Sequence, residues 1–192
     1  MLQRVSPGRR WRLKSATEPH HHRLDALNNQ FAMFASVSSY RQYLAATLAS
    51  RSQLEAMLAA AQIDALVPNW NRIQIVPRLL EDLSDLGGDD PAWVETTGTV
   101  IDSSTVIGTL YVLEGSGLGA AILLKRAIKL GMSATFGARH LAQQAANLSS
   151  WREMLHLIET TPIDDEDRCE RAAIAAFDVF ETNYRKVFGN VP

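Results

Sequence analysis

Apolar residues return at threes and fours along most of the chain, and strand-like alternation appears nowhere over a useful length. That pattern predicts an all-α protein. A first helix is expected from about Trp11 to Gln30, with Leu13, Ala16, Thr17, His20 or His21, Leu24 and Leu27 near one stripe. Pro19 sits awkwardly inside it, because an interior proline removes a hydrogen bond and clashes with the preceding turn. The helix therefore either starts near Pro19 or kinks there. A second helix is predicted over Ser38–Ile63, on Tyr40, Tyr43, Leu44, Thr47, Leu48, Leu54, Met57 and Leu58. A third covers Arg72–Leu86 and is stopped by Gly87-Gly88, and Trp93–Asp102 has no clear type.

The later half reads similarly. One long helix is expected from Ser103 to Leu130 with Gly131 as its stop, followed by a weaker pattern over Ala138–Ala146. Ser149 or Ser150 can cap a helix over Trp151–Glu159, which Thr160-Thr161-Pro162 breaks. The last helix spans Asp164–Phe188, with Ala172, Ala173, Ala176, Phe177, Phe180 and Tyr184 as its apolar face. No repeat or internal linker interrupts the pattern. The expectation is a single domain over residues 11–192 behind a tail of residues 1–10.

Composition narrows the function more than the fold. The 192 residues suffice for one sizeable core, and 46% apolar with 21% charged residues is ordinary for a globular chain. Net charge is −2, and the only basic cluster is Arg9, Arg10, Arg12 and Lys14, which argues against a nucleic-acid partner. The single cysteine, Cys169, excludes an intramolecular disulfide and a thiolate-clustered metal site. The reading finds no signal peptide and no apolar run of transmembrane length, so a cytoplasmic protein without a membrane partner is expected.

The stretch Val106–Ala127 stands out. Gly115, Gly117 and Gly119 lie within one helical pattern, where each glycine costs roughly 1 kcal/mol relative to alanine. Either another helix crosses there with backbones nearly touching, or a flat ligand lies against bare backbone. Taken alone, the pattern favours helix packing.

Other chemistry is sparse. His20, His21 and His22 are consecutive, so on a helix they point about 100° apart and cannot share one metal. His140 and His156 offer no zinc-pair spacing; one of the three consecutive histidines could be a single axial ligand to a haem iron, although a histidine near a helix start, taken alone, is more often a surface or capping residue. The acidic run Asp164–Asp167 reads as the first turn of the last helix, where the helix dipole favours negative charge. There is no Glu-x-x-His pair, phosphate loop, nucleophile elbow or Cys/His pair.

Two segments together resemble the haem oxygenase family. Leu13–Leu27, LKSATEPHHHRLDAL, is similar to the family's N-terminal helix, with Lys14, Thr17, His21, Leu24 and Asp25 in the pattern positions. About ninety residues on, GTLYVLEGSGLGAAIL is similar to the distal helix of bacterial members, with Gly115 and Gly119 matching the glycines that lie over the haem. Gly117 departs from the usual threonine, and Asp82–Gly87 and Phe180–Phe188 are weaker echoes.

The resemblance implies a fold and a reaction. A helical bundle would hold haem, both cofactor and substrate, between the first helix and a kinked Gly-rich distal helix. His21 would be the iron ligand, and Lys14 the cation at the haem rim with Thr17 beside it. Gly115, Ser116 and Gly119 would form the catalytic face, Ser116 standing where mammalian members carry an aspartate. Phe180 and Tyr184 would be wall contacts. With dioxygen as co-substrate and no other metal, haem would be opened to biliverdin, carbon monoxide and ferrous iron. Electrons would come from a ferredoxin-like or flavoprotein donor, which Arg9–Arg12 could help steer, and a bilin-accepting phytochrome is a further partner. The rival readings are a non-catalytic haem- or tetrapyrrole-binding relative and a plain helical interaction protein.

Overall fold

The computed structural model describes residues 8–67, 74–88, 101–146 and 150–189. Within them lie α1 (Arg9–Gln30), α2 (Val37–Ala60), α3 (Val76–Asp85), α4 (Ser103–Gly115), α5 (Gly117–Lys129), α6 (Arg139–Ala146), α7 (Ser150–Thr160) and α8 (Glu166–Phe188). No β-strand occurs among the described residues, where the only extended pairing is isolated bridges from Ser133 to Phe136 and Gly137.

Local chemistry sets the helix ends. Ser36 and Ser39 close a reciprocal capping box on α2. Asp102 accepts the Thr105 amide at 3.0 Å to start α4, and Asp165 accepts the Arg168 amide at 2.8 Å to start α8. Glu166 and Asp167 lie in the first turn of α8, and Arg185 and Lys186 in its last, each on the end the helix dipole favours. Gly87 (φ +66°) follows α3 and Gly131 (φ +87°) follows α5, both in the left-handed region that glycine tolerates.

Helix α8 is the central element and packs against α4, α1 and α2, while α5 lies on α6 and α7 bridges α4 and α1. The core gathers Leu44, Leu48 and Leu58 of α2, Ile107, Leu110 and Leu113 of α4, and Ala173, Ala176 and Phe180 of α8. The α4–α8 crossing is close. A Cβ placed on Gly108 would run into the Cys169 carbonyl oxygen and lie 3.0 Å from both Ala172 Cβ and the Ala173 nitrogen.

Several sequence expectations are revised. The single helix over Ser103–Leu130 is two, α4 and α5, interrupted at Ser116. Its apolar stripe continues through the break, which is why periodicity hides it. The second helix ends at Ala60, because Gln62 turns left-handed (φ +56°) before a 3₁₀ turn over Ile63–Ala65. The third starts at Val76, with Arg72 and Ile73 outside the described residues, as is most of Trp93–Asp102.

Pro19 lies inside an uninterrupted α1, and that helix begins at Arg9, earlier than expected. Arg9 is not a solvated steering charge: its guanidinium pairs with Glu166 at 2.7 Å and donates to the carbonyl of Thr161 at 2.8 Å. Arg12 pairs with Asp167 at 2.7 Å and Glu170 at 2.5 Å. Ser103–Lys129, 27 residues taken through the break, is, after all, long and apolar enough to cross a membrane by length and composition, with mean hydropathy 1.6 over an 18-residue window. Burial accounts for part of that apolarity: Val106, Ile107, Leu110, Val112, Leu113, Ala120 and Ala127 are core residues, whereas Leu118, Ile122 and Ile128 are exposed.

Candidate functional site

One wall of the site is α1. The three consecutive histidines meet three environments, as their angular spacing on a helix requires. His20 Nδ1 lies 2.7 Å from Arg23 Nη2 and 3.3 Å from Asp178, so that ring is tied down between α1 and α8. His21 places Nδ1 3.1 Å from the Asp25 carboxylate one turn on, and its side chain is 64% exposed. That carboxylate lies on the Nδ1 side of the ring and leaves Nε2, the farther nitrogen, as the one available to a metal. The ring rests edge-on to Phe177 of α8, centroids 6.2 Å apart. His22 lies exposed beside it, its ring 6.5 Å from that of His21. Thr17 is buried and donates to the Leu13 carbonyl at 2.8 Å, whereas Lys14 is exposed with Nζ 5.3 Å from the Trp11 ring.

The other wall runs along α4 and α5. Tyr111, Gly115 and Gly119 recur at intervals of four, and Trp151 of α7 flanks them, 6.1 Å from the Tyr111 ring. A Cβ added to Gly115 would touch Trp151 at 3.5 Å, an ordinary contact. At Gly119 it would meet nothing within 4 Å. Gly117 faces elsewhere, toward the Gln144 carbonyl of α6 at 3.5 Å. Burial pushes the Tyr111 pKa up, and the Thr17 side chain of α1 pulls it partly back. Ser116 donates to the Leu113 carbonyl at 2.7 Å and accepts from Gln144 at 2.8 Å.

Behind this second wall lies a buried polar layer. Arg51 of α2 donates to Glu55 at 2.7 Å, their side chains 2% and 4% exposed, and its Nη1 reaches the Leu113 carbonyl at 3.1 Å. Glu55 also accepts the Ile75 amide at 3.2 Å. Burial raises the Glu114 carboxyl to about 7, with Glu55 pushing it further up and Arg51 pulling it back. Asp82 of α3 accepts Nδ1 of fully buried His140 at 2.7 Å and the amides of Arg139 and His140 at 2.9 and 3.0 Å. Burial holds His140 below its ordinary value, as does the nearby positive charge of Arg51, and the hydrogen bonds from His140 hold Asp82 low.

The geometry redistributes the wall contacts. Phe180 and Tyr184 are buried on the α2 side of α8, where the Tyr184 hydroxyl lies 3.1 Å from Thr47 and its ring 6.1 Å from Tyr43. The α8 ring against His21 is Phe177, one turn earlier, and Trp151 and Tyr111 are further wall residues that motif reading missed. Their only sequence signal was an aromatic on an apolar helical face. Among the described residues no group of three or more His, Cys, Asp or Glu is placed to hold a metal ion between them.

An all-helical bundle with an exposed, carboxylate-oriented histidine on one helix and a broken glycine helix on another defines the class. The comparisons give the family. The family model described as haem oxygenase matches residues 10–189, and the chain belongs to that family. It is 29% identical over 171 residues to Heme oxygenase PigA of Pseudomonas aeruginosa, covering 88% of this chain and 86% of that one. Its fold is similar to the crystal structure of the nitric oxide- and carbon monoxide-bound haem oxygenase of Neisseria meningitidis, with a TM-score of 0.83 and 26% identity over 97% and 94% of the two chains. The protein is an oxidoreductase that binds and degrades haem.

Proposed function

We propose that haem lies between α1 and the α4–α5 wall, with His21 Nε2 as the iron ligand and the bare backbone of Gly115 and Gly119 on the opposite face. Gly119 carries this reading: among the described residues nothing touches its missing side chain, so packing gives no reason for glycine there. Lys14, two turns before His21 on the same face of α1, supplies a cation for a propionate. Thr17 and Tyr111 brace the walls, and Phe180 and Tyr184 back the haem-side residues of α8 from the core. Ser116, exposed and partnered by Gln144, is the polar group nearest the two glycines for holding and passing protons on that face.

Haem supplies the redox-active iron and is itself the substrate. Its oxidative opening gives biliverdin, carbon monoxide and ferrous iron, with dioxygen as co-substrate and no other metal. Electrons come from a ferredoxin-like or flavoprotein donor. The setting is cytoplasmic, the domain takes in α1 from Arg9 onward rather than from residue 11, and a bilin-accepting phytochrome is a recipient for the product.

The ligand assignment is tested by comparing His20→Ala, His21→Ala and His22→Ala as ferric haem complexes. Only His21→Ala is expected to abolish the axial-histidine spectrum; loss in either neighbour instead shows the register to be wrong. Haem, dioxygen and a reductant added to the wild-type protein should give a biliverdin band, and a stable ferrous-oxy spectrum without that band rejects the ring-opening reading.

A further inference from the structure

The interruption between α4 and α5 leaves a carbonyl that an unbroken helix would have used. In a continuous helix the Leu113 oxygen would accept from the amide of Gly117. Here it accepts instead from the Arg51 guanidinium at 3.1 Å and the Ser116 hydroxyl at 2.7 Å. A carbonyl oxygen has two lone pairs, and two side chains take them. Arg51 comes from a different helix and is held by Glu55, which also takes the Ile75 amide just before α3. One buried ion pair thus ties α2, the start of α3 and the end of α4 together. A buried pair of this kind adds little net stability over apolar packing, but losing one partner is expensive, so its use lies in fixing geometry.

We infer that Arg51 is a positioning residue: by occupying the Leu113 carbonyl it fixes the break at Ser116 and so the direction in which α5 presents Gly119. This rests on the reading that haem lies against Gly115 and Gly119. Arg51 touches neither glycine and acts through the backbone. Glu55 is its orienting partner, and the Ser116–Gln144 contact steadies the same turn from the solvent side.

The test is hydrogen exchange at the Ser116–Ala120 amides of the haem-free full-length chain, in wild type, Arg51→Lys and Arg51→Met. Both variants are expected to speed exchange there by about tenfold, the loss of one charge-assisted hydrogen bond, while α8 keeps its wild-type protection. Haem-loaded Arg51→Lys should also change the biliverdin isomer ratio at near-unchanged haem affinity, a readout that general weakening of the fold would not move. If Arg51→Met does not fold, Arg51→Lys decides alone, because it keeps the charge and loses only the fork. Wild-type exchange across Ser116–Ala120 in Arg51→Lys overturns the inference. Faster exchange there, combined with a Gly119→Leu variant that binds and cleaves haem normally, supports Arg51 as the anchor of the break and rejects the haem-face reading instead.

Discussion

Gly108 and Gly119 lie in the same apolar stretch and are bare for opposite reasons. At Gly108 the missing Cβ is space that α8 uses, with Cys169, Ala172 and Ala173 in contact. At Gly119 it is space that no other described residue fills. The two explanations for glycine in a helix, close crossing and open backbone, both hold within one chain, three helical turns apart. A glycine's neighbours decide which applies; its sequence context does not.

Gly108→Val should have the largest effect, costing about 3 kcal/mol or more in denaturant unfolding, because backbone on α8 cannot yield as a flexible side chain would. A loss below about 1 kcal/mol there would dissolve the contrast with Gly119. Between the two glycines, Glu114 gives a pH signature. Its folded pKa of about 7 exceeds the ordinary 4.5, so the native state keeps a proton that the unfolded chain gives up. Stability is therefore fully present at the acidic end and falls as pH rises through that window, by about 3 kcal/mol. Glu114→Gln should remove the fall. What remains is the contribution of His140, whose lowered pKa makes stability rise with pH below about 6.5. Urea midpoints at both ends of the window read the change in slope.

Gly119→Leu should leave the unfolding midpoint near wild type yet weaken haem binding or turnover by about tenfold or more, or change the biliverdin isomer. Normal haem handling would return Gly119 to the packing explanation. Gly119→Ala is the smallest change: the haem-free protein should gain roughly 0.5–1 kcal/mol, the ordinary helix-propensity difference. A destabilised Gly119→Ala would reveal a neighbour for that face and erase the asymmetry.

Periodicity placed most of the helices because each has one buried face, and the two motifs picked out His21 and the glycine pair. What stayed hidden was decided by tertiary burial. Arg51 and Glu55 carry no motif, only the i, i+4 spacing common on helix surfaces, yet they lie in the core. His140 lacked any ligand spacing, and its partner Asp82 stands 58 residues away in sequence. Gly108 sat alone among apolar residues with no pattern to mark it. The break at Ser116 left no mark in the periodicity; only the resemblance, which implied a kinked Gly-rich helix, pointed to it. Phe177 was visible as an apolar position, but only the placement of α8 shows it beside the histidine.

The helix carrying His21 has a thin attachment. Of its 22 residues only Leu13, Thr17 and Leu27 are buried. Much of its hold on the rest is charged, from Arg9 and Arg12 at one end to His20 and Arg23 farther along. Ion pairs weaken with salt while apolar contacts do not. We expect opening of this wall to rise with ionic strength separately from global unfolding, and with it the ease with which a large flat molecule enters and a bent product leaves; hydrogen exchange along α1 at low and high salt checks this.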